Sequence, residues 1–244
     1  MPVGEVNIQS ALLAEQAEYY RARAAEYDEW FLRKGRYDRG LEHTLQWSKE
    51  VEELRGKLNT QAPFGEVLEF AGGTGLWTEY LAKSSASLTV VDASEEMLSL
   101  NAARNPDPSI RWVHANIFDF QPDRLYEFIF FGFWLSHVPS DRFEDFWSLV
   151  TKSLKPSGQV FFIDSIKEPQ STAADHVLPD EDDSETLVRR LNDGREFRIY
   201  KVFYQPDTLQ ERLADLGWIA QVSRTDTFFL YGFGSMKEST LAID

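Results

Sequence analysis

The feature that most constrains the fold of this chain is a change of rhythm after Gly65, where short apolar runs begin to alternate with helical stretches. Apolar strands that alternate with helices form βαβ units, whose consecutive strands lie parallel in one sheet. The pattern therefore predicts an α/β, Rossmann-like doubly wound sheet. The predicted strands span residues 66–70, 87–92, 110–114, 127–131, 159–163, 219–224 and 228–233.

The segments outside this rhythm predict a cover and an insertion. Residues 9–33 and 41–58 carry apolar side chains at helical spacing. We therefore expect residues 1–62 to form a helical N-terminal cover and residues 63–244 to form the main domain. An insertion at about 165–204 follows the fifth strand: its first half is polar and acidic, and its second half has an Asn-Asp-Gly turn signal before an alternating run.

The charge and composition exclude several classes of function. The 244 residues include 25 Lys and Arg and 40 Asp and Glu, and the net charge of −15 repels nucleic acid phosphates and anionic membranes. Cysteine is absent, which excludes disulfides, cysteine-ligated zinc and thiol catalysis. The N-terminus has no signal-peptide pattern, and no apolar run reaches the ~20 residues of a membrane span. We expect a cytoplasmic monomer or homodimer that binds no nucleic acid, membrane or metal.

The stretch VLEFAGGTGLWT, from Val67 to Thr78, is a glycine-rich turn between a strand and a helix. Such a turn lets a ligand approach the backbone and offers amide hydrogens at the start of the helix. The dinucleotide pattern G-x-G-x-x-G fails because Thr78 occupies the third glycine position. Glu69, directly before the turn, would repel a pyrophosphate. A ligand with positive charge fits this turn better.

The turn resembles the first motif of the class I S-adenosylmethionine-dependent methyltransferases, E/D-x-G-x-G-x-G. Here the motif starts at Glu69 and ends at Gly75, with Ala71 in place of the first glycine. In that family the loop packs against the methionine portion of the cofactor, and the acidic residue helps to hold its ammonium group. The resemblance implies a methyltransferase with a seven-stranded, mostly parallel sheet whose last strand is antiparallel. S-adenosyl-L-methionine is the implied cofactor, and S-adenosyl-L-homocysteine its product.

The next two strands continue the resemblance. Asp92, at the end of the second strand, is placed to accept both ribose hydroxyls, although it or Ser94 could equally cap the following helix. Asn116 follows the third strand, where the family commonly has an Asp that contacts the adenine amino group, and it could instead shape the turn. The cofactor-binding residues implied by the resemblance within the main domain are Glu69, Ala71, Gly72, Gly73, Gly75, Asp92, Ala93, Met97, Asn116, Ile117, Phe131 and Gly132.

Two further regions are predicted to complete the site. The cover segment of many small-molecule members resembles the stretch that contains Tyr20, Tyr27 and Trp30, which could close over the methionine end or simply pack. His137 is the histidine that the resemblance places near the transferred methyl group. It could act as a general base, or it could hydrogen-bond its surroundings or cap the helix near Asp141.

The insertion is predicted to be a lid for the acceptor. It would lie above the carboxyl ends of the strands beside the aromatic wall of Phe133 and Trp134, where it would exclude water. One of its arginines could pair with an anionic acceptor, although salt bridges to the acidic residues 180–185 are the simpler explanation. These arginines are Arg189, Arg190, Arg195 and Arg198.

The leading hypothesis is therefore methyl transfer from S-adenosylmethionine to a small-molecule acceptor. The segment FGFW follows the fourth strand in place of an Asn/Asp-Pro-Pro-Tyr/Phe motif, which argues against methylation of nucleobase or glutamine amino groups. A nicotinamide-dependent dehydrogenase is disfavoured by Thr78 and Glu69. A module that binds the cofactor without transferring the methyl group remains an alternative.

Overall fold

The computed structural model describes residues 3–176 and 185–237, with side chains described from residue 9. Its centre is a seven-stranded sheet formed by β1 Gly65–Phe70, β2 Ser85–Asp92, β3 Ile110–His114, β4 Tyr126–Gly132, β5 Leu154–Ser165, β8 Trp218–Arg224 and β9 Phe229–Met236. The strand order is β3-β2-β1-β4-β5-β9-β8. Strand β9 runs antiparallel to both of its neighbours, and the pairs from β3 to β5 are parallel.

The predicted fold class is thus confirmed, including the antiparallel last strand. Strand β1 lies between β2 and β4, so the carboxyl ends of three neighbouring parallel strands meet at one edge of the sheet. Strand β5 is longer than predicted and begins at Leu154. Helices α4 Thr78–Ala82, α5 Glu95–Arg104, α6 Phe143–Ser153 and α7 Pro206–Asp215 connect the strands.

Both faces of the sheet are buried, as a doubly wound sheet requires. Leu68 and Phe70 point into a core with α6 and α7. Val67 and Phe128 point into a second core that also contains Trp47 of the N-terminal segment. None of the helices described between residues 3 and 237 is long and apolar enough to cross a membrane.

The N-terminal segment forms three helices, α1 Val3–Arg23, α2 Tyr27–Phe31 and α3 Leu41–Asn59. The continuous helical spacing predicted over residues 9–33 is interrupted by a 3₁₀ turn, Ala24–Glu26. Arg23 is buried at the end of α1, where its guanidinium lies 4.9 Å from the centre of the Tyr27 ring. The interruption therefore lets α2 turn toward the sheet.

The insertion carries a separate two-stranded sheet, β6 Thr186–Arg190 paired antiparallel with β7 Glu196–Tyr200. Helix α1 packs on this hairpin through a small core of Tyr19, Leu187 and Ile199. Gln16 fixes the contact, because its amide accepts a hydrogen bond from the Tyr200 amide at 2.9 Å and donates one to the His137 carbonyl at 3.2 Å. Most of the acidic stretch 180–185 lies outside the described residues.

Candidate active site

A cleft opens at the carboxyl ends of β1, β2 and β4 and is roofed by α1. It encloses about 1220 Å³ measured to its open mouth, which is ample for an adenosine linked to an amino acid. Ten of the residues predicted to bind the cofactor line it. They are Tyr20, Tyr27, Ala71, Gly73, Asp92, Ala93, Met97, Asn116, Ile117 and Gly132.

Asp92 lies at the middle of the cleft, at the end of β2. Its carboxylate accepts hydrogen bonds from the amides of Gly73 and Ser94, both at 2.9 Å. The cap of helix α5 is the Ser94 hydroxyl, which accepts from the Met97 amide at 3.2 Å. Burial raises the pKa of Asp92, and the two amides oppose that rise. The carboxylate is thus fixed beside the glycine loop, with its remaining acceptor capacity toward the cleft.

The glycines of the loop divide into two roles. Gly73 has φ +52°, and a Cβ there would find no neighbour closer than the Ala71 carbonyl at 3.9 Å, so the space above it belongs to the cleft. Gly72 and Gly75 do not line the cleft. A Cβ at Gly72 would lie 2.3 Å from Val90, and one at Gly75 would lie 2.2 Å from the Asn101 side chain. These two glycines are required by packing behind the loop.

Glu69 lies away from the cleft, although the sequence assigned it to the cofactor ammonium group. Its side chain is 2 % exposed, and it accepts a hydrogen bond of 2.6 Å from the Thr78 hydroxyl. Burial raises the pKa of this carboxyl to about 8. Along β1 the side chains alternate between faces, so Glu69 points with Val67 into the core behind the loop. Its contacts support the turn from behind.

The far end of the cleft is apolar, as an adenine ring requires. Met97, Ile117 and Phe118 line it, and the Asn116 side chain also accepts a hydrogen bond from the Phe118 amide at 3.1 Å. The expected turn-shaping role of Asn116 is therefore present, and the same amide faces the cleft. The lining residues that the sequence did not assign to the site are Ser94, His114 and Phe118, together with Leu13, Gln16 and Ala17 of α1.

The end of the cleft opposite the apolar one, which we call the near end, is bounded by residues of the N-terminal segment. Tyr20 and Tyr27 line it together with Gly132, whereas Phe131 is fully buried in the core below. Trp30 lies beyond this end, in the wall of a second pocket, and its indole nitrogen donates to the Ser171 carbonyl at 2.8 Å. The structure therefore separates Phe131 and Trp30 from the cofactor cleft.

His137 lies between the two pockets and lines both. Its Nδ1 is 2.7 Å from the Tyr200 carbonyl, which can only accept, so Nδ1 carries the proton. Its Nε2 then accepts the Tyr20 hydroxyl proton in a 2.7 Å hydrogen bond. Burial, assisted by the charge of Lys201, lowers the pKa of His137 to about 3. The imidazole is neutral, and its single lone pair is occupied.

The second pocket, which we call the acceptor pocket, adjoins the near end of the cofactor cleft. It shares Tyr20, Tyr27, Phe133 and His137 with the cleft and encloses about 610 Å³, open solvent included. Its remaining wall comes from the N-terminal segment and from the insertion. Those residues are Tyr19, Arg23, Trp30, Tyr37, Ser165, Ser171, Thr172, His176, Arg189, Ile199, Lys201 and Phe203.

Three buried cations distinguish the acceptor pocket. Arg23, Arg189 and Lys201 are each less than a tenth exposed. The Nε atom of Arg23 and one terminal nitrogen of Arg189 have no hydrogen-bond partner among the described residues. The Lys201 ammonium donates to the Ser136 hydroxyl at 2.7 Å and to Asp164 at 3.2 Å. Arg23 and Lys201 were not singled out from the sequence.

The other arginines of the insertion form surface ion pairs. Arg190 pairs with Glu196 at 2.5 Å, Arg195 with Asp193 at 2.8 Å and Arg198 with Glu15 of α1 at 2.8 Å. These three arginines therefore form salt bridges, but their partners are not the acidic residues 180–185 that the sequence suggested. Arg189 differs because alternation along β6 turns it inward.

The cofactor cleft fits S-adenosylmethionine by its chemistry. An apolar end suits the adenine, the buried carboxylate of Asp92 suits vicinal hydroxyls, and the open space over Gly73 suits a close approach to the backbone. The aromatic rings of Tyr20, Tyr27 and Phe133 surround the near end, where a sulfonium cation is favoured by their faces.

Comparisons with known proteins show similarity to methyltransferases. The family described as "Methyltransferase domain" matches residues 67–158. An "Uncharacterized methyltransferase" of Staphylococcus carnosus (strain TM300) is 24% identical over 164 residues, 67% of this chain and 74% of that protein. The solved "DhpI-SAH complex structure" matches with TM-score 0.76 and 34% identity over 93% of this chain and 98% of that one. The "DhpI-SAM-HEP complex" matches with TM-score 0.76 and 36% identity over 91% and 97%.

Proposed function

Because this chain belongs to the class I S-adenosylmethionine-dependent methyltransferases and transfers the methyl group of that cofactor, we propose that its acceptor is a small molecule with a dianionic oxyanion group. The observation that carries this proposal is the pair of buried guanidinium groups, Arg23 and Arg189, in a pocket continuous with the cofactor cleft. The DhpI complex that contains both SAM and HEP supports a site for a second ligand in addition to the cofactor.

The charge of the pocket favours two negative charges on the acceptor. Among the described residues, no carboxylate forms an ion pair with Arg23 or Arg189, whereas Lys201 is paired with Asp164. The two histidines of the pocket are neutral, because burial lowers the pKa of His137 to about 3 and that of His176 to about 4. Among the residues that the structure describes, Arg23 and Arg189 thus have no carboxylate partner. A buried charge is costly unless it is paired, so an anion fills this deficit.

The side chains around the pocket suit an oxyanion in geometry as well as in charge. A guanidinium donates two parallel hydrogen bonds to a carboxylate or phosphate, and Arg23 and Arg189 each keep at least one unused nitrogen. Tyr19, Tyr37 and Thr172 add hydroxyl donors to the same wall. The pocket is bounded by α1 and the hairpin, and its size of about 610 Å³, open solvent included, suits a small molecule.

The methyl-accepting atom is an oxygen that is already ionised. Both imidazole lone pairs in the pocket are occupied, His137 Nε2 by the Tyr20 hydroxyl and His176 Nε2 by the Arg190 amide at 3.0 Å. When bound, the cofactor supplies a methyl group on positively charged sulfur. The protein then has to align the acceptor oxygen and exclude water, which Tyr20, Tyr27 and Phe133 do at the boundary of the two pockets. His137 holds Tyr20 in place and has a positioning role.

Binding of simple anions tests the acceptor class. In the presence of S-adenosylhomocysteine, inorganic phosphate is expected to bind at least tenfold more tightly than acetate, with calorimetry as the measurement. Arg189→Gln removes one of the two unpaired charges and abolishes this preference. Arg198→Gln is the matched control, since Arg198 is exposed and paired with Glu15 on the outer surface. Equal affinity for phosphate and acetate, or a preference that survives Arg189→Gln, would refute the acceptor class.

Turnover then tests the reaction itself. Cofactor labelled in the methyl group is supplied with small phosphate esters, dicarboxylates, amines and neutral alcohols, and the labelled product is identified by mass spectrometry. We expect labelling only of dianions, and retention of most activity in His137→Gln because no proton must be removed. If a neutral alcohol were labelled by the wild type but not by His137→Gln, His137 would have the general-base role that the sequence suggested.

A further inference from the structure

The glycine loop is tied to the cover by a closed set of polar contacts at its apex, Thr74. The Thr74 hydroxyl donates to the carboxylate of Asp28 in α2 at 2.5 Å. The Arg104 guanidinium, at the end of α5, donates to the Thr74 carbonyl at 2.7 Å and forms an ion pair with the same carboxylate. Three elements that are remote in sequence therefore meet at one residue.

The triad of Asp28, Thr74 and Arg104 holds the glycine loop in one conformation. Thr74 is 3 % exposed and lies between Gly73 and Gly75, whose φ angles are +52° and +89°. Glycine adopts many backbone conformations at little cost, so a loop with two left-handed glycines needs side-chain contacts to hold one shape. Thr74 is the one residue of that stretch whose side chain provides such contacts.

The same triad fixes the cover helix. Asp28 directly follows Tyr27, which lines the cofactor cleft and the acceptor pocket, and Trp30 of the same helix lines the acceptor pocket. The five residues of α2 have too few backbone hydrogen bonds to be stable alone. Their position over the near end of the cleft depends on side-chain anchors, and Asp28 supplies one of them through its contact with Thr74.

We propose that Asp28, Thr74 and Arg104 form a latch that closes α2 over the amino-acid end of the bound cofactor. Asp28 and Arg104 are positioning residues: they shape the loop and hold Tyr27 in place. The latch does not contact the adenine end of the cleft, at Ile117 and Phe118, and Asp92 is joined to the loop by the Gly73 amide at 2.9 Å, a contact that uses none of the latch side chains. Because the latch holds Tyr27 and the apex of the loop, we expect it to act mainly on the amino-acid end. This inference rests on the cofactor site and is independent of the charge of the acceptor.

Two ligands that differ in the amino-acid portion test the latch. In Asp28→Asn, we expect the affinity for S-adenosylhomocysteine to fall about tenfold through faster dissociation. The affinity for 5′-methylthioadenosine, which lacks the amino acid, should change by less than about twofold. Asp123→Asn is the control, since it breaks an exposed ion pair to Arg111 on β3. Stopped-flow fluorescence gives the dissociation rates, and calorimetry gives the affinities.

Substitutions at Thr74 test the same latch independently, in case Asp28→Asn folds poorly. Thr74→Val removes the hydroxyl at constant shape and should reproduce the selective loss, whereas Thr74→Ser should restore wild-type affinity. A parallel loss of affinity for both ligands would assign the triad a merely structural role and overturn the latch. Unchanged affinity for S-adenosylhomocysteine in both Asp28→Asn and Thr74→Val would overturn it as well.

Discussion

Replacing Glu69 by glutamine is expected to remove a large pH dependence of stability. Burial raises the pKa of this carboxyl from its ordinary 4.5 to about 8 in the folded protein, so folding takes up a proton at every pH between these values. The unfolded chain ionises at the lower pKa. The free energy of unfolding of the wild type therefore falls as the pH rises through this window, and it is unaffected by Glu69 below pH 4.5.

The size of the effect follows from the two pKa values. Each unit of difference corresponds to about 1.4 kcal/mol, and between about pH 5 and pH 7.5 the two titrations together reduce the stability by about 3 kcal/mol. The glutamine side chain of the variant stays neutral throughout. It keeps an oxygen for the Thr78 hydroxyl, which lies 2.6 Å from the wild-type carboxylate, so Glu69→Gln should lose little stability at about pH 5.

Urea unfolding of the ligand-free protein at several pH values measures this difference. The stability of Glu69→Gln relative to the wild type should increase by about 3 kcal/mol over the window. Glu79→Gln is the control, because Glu79 is exposed and its pKa is lowered by its hydrogen bond to Lys83. If the difference in the free energy of unfolding between Glu69→Gln and the wild type did not vary with pH, Glu69 would be ionised in the folded protein. That outcome would return it to the role of partner for the cofactor ammonium group.

Three further substitutions test other parts of the site. Asp92→Ala should weaken S-adenosylmethionine binding by about 2–4 kcal/mol, measured by calorimetry, since a charged acceptor for two hydroxyls is lost; unchanged affinity would remove the ribose assignment. Gly73→Val places a branched side chain in the cleft at φ +52° and should lower the affinity for S-adenosylmethionine more than tenfold. A crystal structure of this variant with the cofactor bound would contradict the close approach of the ligand to the backbone. Gln16→Ala leaves the Tyr200 amide and the His137 carbonyl without a side-chain partner and should cost about 1–3 kcal/mol in urea unfolding; no loss would mean that α1 is held by its apolar contacts alone.

The sequence could predict the cofactor half of the site because that half is local. The glycine loop, Asp92 and Asn116 each follow a strand directly, and a parallel sheet brings such positions to one edge whatever the loops do. Glu69 follows the motif in sequence, but alternation along β1 turns its side chain away from the cleft, and its contact with the ammonium group stays a prediction.

The acceptor half could not be predicted because it depends on long-range packing. Arg23 occupies a helix end, where an arginine is ordinarily a solvated residue that interacts with the helix dipole. Only the docking of α1 on the hairpin buries it beside Arg189. The inward direction of Arg189 was readable in principle from its alternation with Val188 and Arg190, once the strand bounds were known.

The contact between α1 and the hairpin also sets the order in which the molecule is completed. Glu15 and Arg198, which join these two elements, are 183 residues apart in sequence. Contacts of such separation form late, because a long loop must close before they can contribute. In the growing chain, α1 therefore lacks its partner until the five strands from β1 to β5 and the hairpin have been synthesised. Until α1 docks, the cofactor cleft lacks its roof and the second pocket lacks the wall that contains Tyr19 and Arg23, so ligand binding at either site reports on completed folding.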